Sequence, residues 1–153
     1  MGVTIRYIAA LATCYAAGLV GSLFVNPGVD QWYENLTKPE LTPPATVFVF
    51  VWIILYGLMG IALGIMWGRT TLWHPWVGMF LVSLLFNAAW TMFFFGFHAI
   101  LLAFIDAAIL MMILVPLLMG AWETERRAFY LLVPYVAWMF FALYLNGYIW
   151  IHG

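Results

Sequence analysis

Asn87 and Asp106 are polar side chains set in the middle of long apolar runs. A polar group at membrane depth costs free energy, so it faces a bundle interior or a cavity rather than lipid. Ser83, Asn87 and Thr91 recur at every fourth residue and share one helical face, with Trp90 beside it. Asn87 and Asp106 each lie about nine residues from the short link Gly96-Phe97-His98. At about 1.5 Å per helical residue, both sit roughly 14 Å below the same end of the bundle. The plain role for each is an interhelical hydrogen bond of about 0.6–2 kcal/mol.

Tryptophan supplies the second kind of chemistry. Trp32, Trp67, Trp73, Trp76, Trp122 and Trp150 fall near the ends of apolar runs, where interfacial indoles belong. Trp52, Trp90 and Trp138 are too deep for that role. Ala142 follows Trp138 by one turn and leaves room beside the ring. Trp52, Trp138, Asn87 and Asp106 converge at similar depth beneath the chain's one long connection. A flat aromatic guest stacked among indoles suits such a site.

Other chemistries find no support. His74, His98 and His152 sit in links or at the terminus, so none offers an axial haem ligand within the membrane. Neither a nucleophile–base pair nor a phosphate-cradling glycine loop is visible. Cys14 stands alone in an apolar run, which reads as a buried thiol rather than half of a disulfide or a metal pair. We therefore expect no metal and no required cofactor. A net charge of −1 gives no reason to expect nucleic acid.

The elements that position these residues follow from composition. The chain has 153 residues, 67% hydrophobic and 7% charged, whereas a soluble domain carries about 25% charged residues. Apolar runs of about 20 residues recur, the length that spans a bilayer core. They are continuous rather than alternating, which excludes a barrel. The expected fold is an all-α membrane protein, one domain over residues 1–153. It is a bundle of five transmembrane helices near residues 4–25, 44–67, 76–95, 99–122 and 129–150, with a long loop between helices 1 and 2.

Asn26-Pro27-Gly28 should break the first helix. The connection that follows is of a length that usually carries function. In it, Trp32, Tyr33 and Leu36 share one face of a short helical turn beside Asp30 and Glu34, an amphipathic segment that would lie on the bundle as a lid. Pro43-Pro44 turns the chain into the second helix, where a missing N–H is harmless in the first turn. Gly60, Gly64 and Gly68 form a small-residue stripe, suited to packing within the bundle or to a dimer seam. Pro116 should kink the fourth helix. Glu123, Glu125, Arg126 and Arg127 form the expected link to the fifth. Arg6, Arg69, Arg126 and Arg127 fall on one side and Lys38 on the other. The positive-inside rule then puts the N-terminus in the cytoplasm of a bacterial-type cell membrane.

The run Trp32-Tyr33-Glu34-Asn35-Leu36, Lys38-Pro39, Pro43-Pro44 and Val51-Trp52 resembles the tryptophan-rich sensory protein/translocator protein (TspO/MBR) family. Phe86-Asn87-Ala88-Ala89-Trp90-Thr91 with Phe95-Gly96, then Val133-Pro134-Tyr135, Trp138 and Leu145-Asn146, continue the match in the family's order. The resemblance implies a five-helix membrane protein, commonly a homodimer, that binds protoporphyrin and similar flat apolar ligands beneath the first loop. Carried over by motif, Tyr33, Pro43, Trp52, Asn87, Trp90, Trp138 and Ala142 would line the pocket. Some members promote light-dependent oxidative breakdown of protoporphyrin, which the resemblance assigns to Trp52 and Trp138. Others are tied to sterols, but the family's sterol pattern lacks its basic residue here after Leu143-Tyr144. Three functions compete: porphyrin sensing or handling, photo-oxidative turnover, and transport. Five spans without an inverted repeat rank transport last.

Overall fold

The computed structural model describes residues 2–25, 29–71 and 74–153, with Asp30 described by its backbone alone. The expected breaker Asn26-Pro27-Gly28 and the interfacial Trp73 lie outside the described residues. The elements are α1 (Val3–Ser22), α2 (Val29–Glu34), α3 (Ala45–Arg69), α4 (Pro75–Thr91), α5 (Ile100–Thr124) and α6 (Arg126–His152). Among the described residues the fold is all-helical, and five segments are long and apolar enough to cross a membrane: α1, α3, Pro75–Gly96 (α4 with the turn that follows it), α5 and α6. Helix is the natural solution, because a spanning segment must satisfy its backbone hydrogen bonds internally.

Helix ends follow local chemistry. Pro44 precedes α3, and its carbonyl accepts from the Val47 and Phe48 N–H groups at 2.9 and 3.3 Å. Pro75 opens α4, while His74 Nδ1 accepts from the Trp76 N–H at 3.4 Å. α1 ends at Ser22, three residues before the expected limit, and residues 23–25 continue as tight turns. The charged cluster 123–127 also departs from expectation. The link is one residue long: α5 runs to Thr124, α6 starts at Arg126, and Glu125 alone is extended, with φ −162° and ψ 111°. Glu and Arg are good helix formers, so charge at the membrane surface does not by itself interrupt a helix. Arg69 fastens this corner by an ion pair to Glu125 at 2.8 Å. Pro116 and Pro134 both lie inside unbroken helices.

The glycine stripe of α3 is used within the chain. A Cβ added at Gly60 would stand 2.8 Å from Leu11 Cα, and one at Gly64 would stand 2.6 Å from the Tyr7 ring. α1 and α3 therefore pack backbone to backbone, which small residues permit. The stripe serves bundle packing and leaves other faces to any contact between copies. Cys14, on the same side of α1 as Ala10, is fully buried and free. The main core gathers residues of α1, α3, α4, α5 and α6. A smaller aromatic cluster sits beneath the loop around Phe94, Ala103 and Ile149.

Candidate functional site

α2 carries Trp32 and Tyr33 down onto the end of the third span. Trp32 stacks on His98 at 4.0 Å with the rings 8° apart, and meets Phe94 edge-on at 5.5 Å. Tyr33 meets Phe94 and Phe95 at 6.2 and 6.1 Å. His98 adopts φ 53°, a left-handed conformation that is uncommon for a side-chain-bearing residue and belongs to the tight turn there. Lys38 closes the other end of α2. Its ammonium donates to the carbonyls of Tyr33, Glu34 and Leu36 and lies 4.5 Å from the Tyr33 ring centre. A cation on the unsatisfied carbonyls of a helix C-terminus is favourable. Burial raises the Tyr33 phenol above its ordinary pKa, so the ring stays neutral at neutral pH. Thr42 then bonds back to the Pro39 carbonyl through both N–H, at 3.0 Å, and hydroxyl, at 2.7 Å. That turn delivers half-buried Pro43 to the mouth of α3.

Beneath this lid α4 changes its winding. Met92–Gly96 continue as a π-helix, a device found often at functional sites because it re-aims side chains. It presents Phe93, Phe94 and Phe95 to the lid cluster. Trp90 stacks on Phe94 at 5.0 Å and donates through Nε1 to Asn146 Oδ1 at 2.9 Å. Asn146 in turn donates to the Ile100 carbonyl at 3.1 Å. Trp90 is thus fixed by a network that ties α4, α5 and α6 together.

Deeper in the bundle, the Asn87 amide donates to the phenol of Tyr135, which is 0% exposed. Trp52 stands edge-on to Tyr135 at 6.3 Å and tilted against Tyr56 at 5.4 Å. Tyr56 in turn meets Tyr15 at 6.2 Å. Trp138 packs edge-on against Phe48 at 5.2 Å, and its buried Nε1–H has no hydrogen-bond partner among the described residues. Ala142 is half-buried one turn further along α6. Ser83 turns its hydroxyl back to the Phe80 carbonyl of its own helix at 2.7 Å. Asp106 is 5% exposed, and its Oδ2 has no partner among the described residues.

The residues singled out from sequence therefore form three groups. Tyr33, Pro43 and Trp32 belong to the lid; Trp90 belongs to the support beneath it; Trp52, Asn87 and Trp138 belong to the aromatic interior with Tyr56 and Tyr135. The Asn87 amide reaches α6 and bonds Tyr135, so equal depth with Asp106 does not translate into an Asn87–Asp106 bond. Contributors that escaped the sequence reading as site residues include Phe48, Tyr56, Phe94, His98, Tyr135 and Asn146. Tyr135 had a signal, since a tyrosine in mid-span needs a partner for its hydroxyl. His98 had none, because stacking across a turn leaves no trace in spacing.

A bundle of five spans, closed at one end by an aromatic lid over a tryptophan-rich interior, defines a polytopic helical integral membrane protein. Comparison places it further: the model of the TspO/MBR family matches residues 10–151, and the chain belongs to that family. It is 34% identical over 140 residues to the tryptophan-rich protein TspO of Chlorobaculum tepidum, covering 89% of this chain and 88% of that one. It is 30% identical over 140 residues to a tryptophan-rich sensory protein of Cereibacter sphaeroides, covering 92% and 86%. The human translocator protein is 32% identical over 135 residues, covering 86% and 80%.

Proposed function

We propose that the protein binds protoporphyrin and similar flat apolar molecules beneath the lid and acts in tetrapyrrole sensing or handling. The observation that carries this is Trp138: a half-buried indole, ring in contact with Phe48, whose buried Nε1–H is left without a partner among the described residues. An unmade hydrogen bond on a buried donor costs about 1–3 kcal/mol, and a guest bearing an acceptor would recover it. Trp52 and the Asn87–Tyr135 pair supply further ring faces and polar edges for orientation. The test is a protoporphyrin titration of detergent-purified protein followed by tryptophan fluorescence. Saturable quenching supports the site, and quenching linear in porphyrin sinks it.

A second function, light-dependent oxidative degradation of bound porphyrin at Trp52 and Trp138, has one observation in its favour. Trp52, Tyr56 and Tyr15 form a run of oxidisable rings with centroid steps of 5.4 and 6.2 Å. Such a run would let an oxidised Trp52 draw an electron from the tyrosines after transfer to an excited porphyrin. Loss of the porphyrin absorbance band under light, with oxygen present, tests it. Bleaching as fast with Trp52→Phe/Trp138→Phe as with the unaltered protein would exclude the mechanism. The binding function needs no bleaching at all. By the arginine distribution, the N-terminus would face the cytoplasm of a bacterial cell membrane and the lid would face outward.

A further inference from the structure

The opposite end of the bundle carries a surface groove. Between the last turns of α5 and the first turns of α6 runs a groove of about 340 Å³, within the roughly 300–1,000 Å³ of small-molecule sites. Val115, Met119, Trp122, Phe129 and Phe140 line it, and Glu123 is its one charged wall. Val115, Met119, Trp122 and Phe140 are exposed on the protein's outer surface, so the groove opens to the bilayer rather than to the lid cluster.

Its mouth is basic. Arg126 lies 4.4 Å from the Trp122 ring centre, held over a groove-lining residue by a cation–π contact. Arg127 follows it and is exposed. The ion pair at this corner joins Arg69 to Glu125. Among the described residues, neither Arg126 nor Arg127 has a carboxylate within ion-pair distance. Arg6 packs against Gly68 at the same end. Four arginines against Glu123 and Glu125 leave this end net positive.

We propose that this groove is a binding site for an anionic membrane phospholipid, with one acyl chain along Val115, Met119 and Phe140 and the phosphate on Arg126 and Arg127. The apolar walls match a hydrocarbon chain, and basic clefts between spanning helices suit acidic headgroups. Arg126 is pre-positioned by Trp122, so little side-chain freedom remains to be lost on binding. Glu123 opposes the headgroup and is outweighed by the two guanidinium groups. The site is independent of the lid, of Trp52 and of Trp138, and stands or falls apart from porphyrin binding.

Native mass spectrometry of the detergent-purified protein tests it, using phosphatidylglycerol and phosphatidylcholine with identical acyl chains. With two arginines near the phosphate, the expected preference for phosphatidylglycerol is roughly thirtyfold. Arg126→Gln/Arg127→Gln should bring the ratio close to one by lowering phosphatidylglycerol retention far more than phosphatidylcholine retention. Val115→Trp should fill the groove and reduce retention of both lipids with both arginines intact. Glu123→Gln should strengthen the preference. These positions are on the outer surface, and an unchanged melting temperature verifies that each variant is folded. Equal retention of the two lipids by the unaltered protein overturns the proposal. So does a preference that survives the double arginine substitution, or displacement of the lipid by an equal concentration of glycerol phosphate, which would reveal a simple anion site without the groove.

Discussion

The amide of Asn87 in α4 donates a hydrogen bond to the phenol of Tyr135 in α6, and both side chains are buried, at 4% and 0% exposure. This pair links α4 to α6 beside Trp52. Tyr135→Phe keeps the ring and its packing against Trp52 but strands the amide, which should cost about 1–3 kcal/mol of stability. Asn87→Ala should cost a similar amount. The double variant should cost clearly less than the two together, because each single change already breaks the same bond. Thermal or denaturant unfolding in a fixed detergent measures all three. Strict additivity would show that the two residues act independently.

Trp138 separates binding from stability. Its Nε1–H has no partner among the described residues, so Trp138→Phe removes an unsatisfied donor along with part of a ring. The melting temperature should change little. Porphyrin affinity should fall about fivefold, the worth of roughly 1 kcal/mol from one hydrogen bond made only to the guest. The contrast with Tyr135→Phe is the useful part. Fluorescence titration and unfolding on both variants should give opposite patterns, with Trp138→Phe losing affinity and Tyr135→Phe losing stability.

The sequence carried the fold because bilayer length and unbroken apolar composition leave few alternatives. Pro44 marked a helix start within a residue, since proline's missing N–H restricts where it can sit. The cluster 123–127 misled for a physical reason. Charge density marks the membrane surface, not the end of hydrogen bonding, so the expected link proved longer than the single residue, Glu125, that separates α5 from α6. Within the site, depth was legible and direction was not. Counting residues sets how far Asn87 lies from the end of its helix. The rotation of α4 and the crossing of α6 decide that its partner is Tyr135, and both arise from tertiary packing. The π-helix at Met92–Gly96 inserts a further turn offset that no helical wheel of the third span includes.

Lys38 should control the lid. Its ammonium gathers three carbonyls at the end of α2 and covers Tyr33. Lys38→Met keeps the stem and its packing but removes every one of those bonds. Amide hydrogen exchange across residues 29–42 should speed up by about tenfold or more, because bonds from a charged group contribute about 1.5–3 kcal/mol. The five spanning helices should remain protected. Porphyrin dissociation should quicken in parallel on the proposed function, with less effect on association. Unchanged exchange in residues 29–42 would mean that the Trp32–His98 stack alone holds the lid.

The contact of α1 with α3 makes the sharpest prediction for the fold. At Gly60 an added Cβ meets the Leu11 backbone at 2.8 Å, and backbone cannot swing aside. At Gly64 the obstacle is the Tyr7 ring at 2.6 Å, which can rotate outward. Gly60→Val should therefore push the two helices apart, costing about 1–3 kcal/mol or more through overpacking. Gly64→Ala should cost less, and Tyr7→Ala should restore most of what it loses by clearing the ring. No partner change as small exists for Gly60→Val, because Leu11→Ala leaves the obstructing Cα where it is. Melting temperatures of the four variants in one detergent compare these cases directly. Equal losses at Gly60 and Gly64 would mean that α1 shifts as a rigid rod, and that contact with the neighbouring backbone does not set its distance from α3.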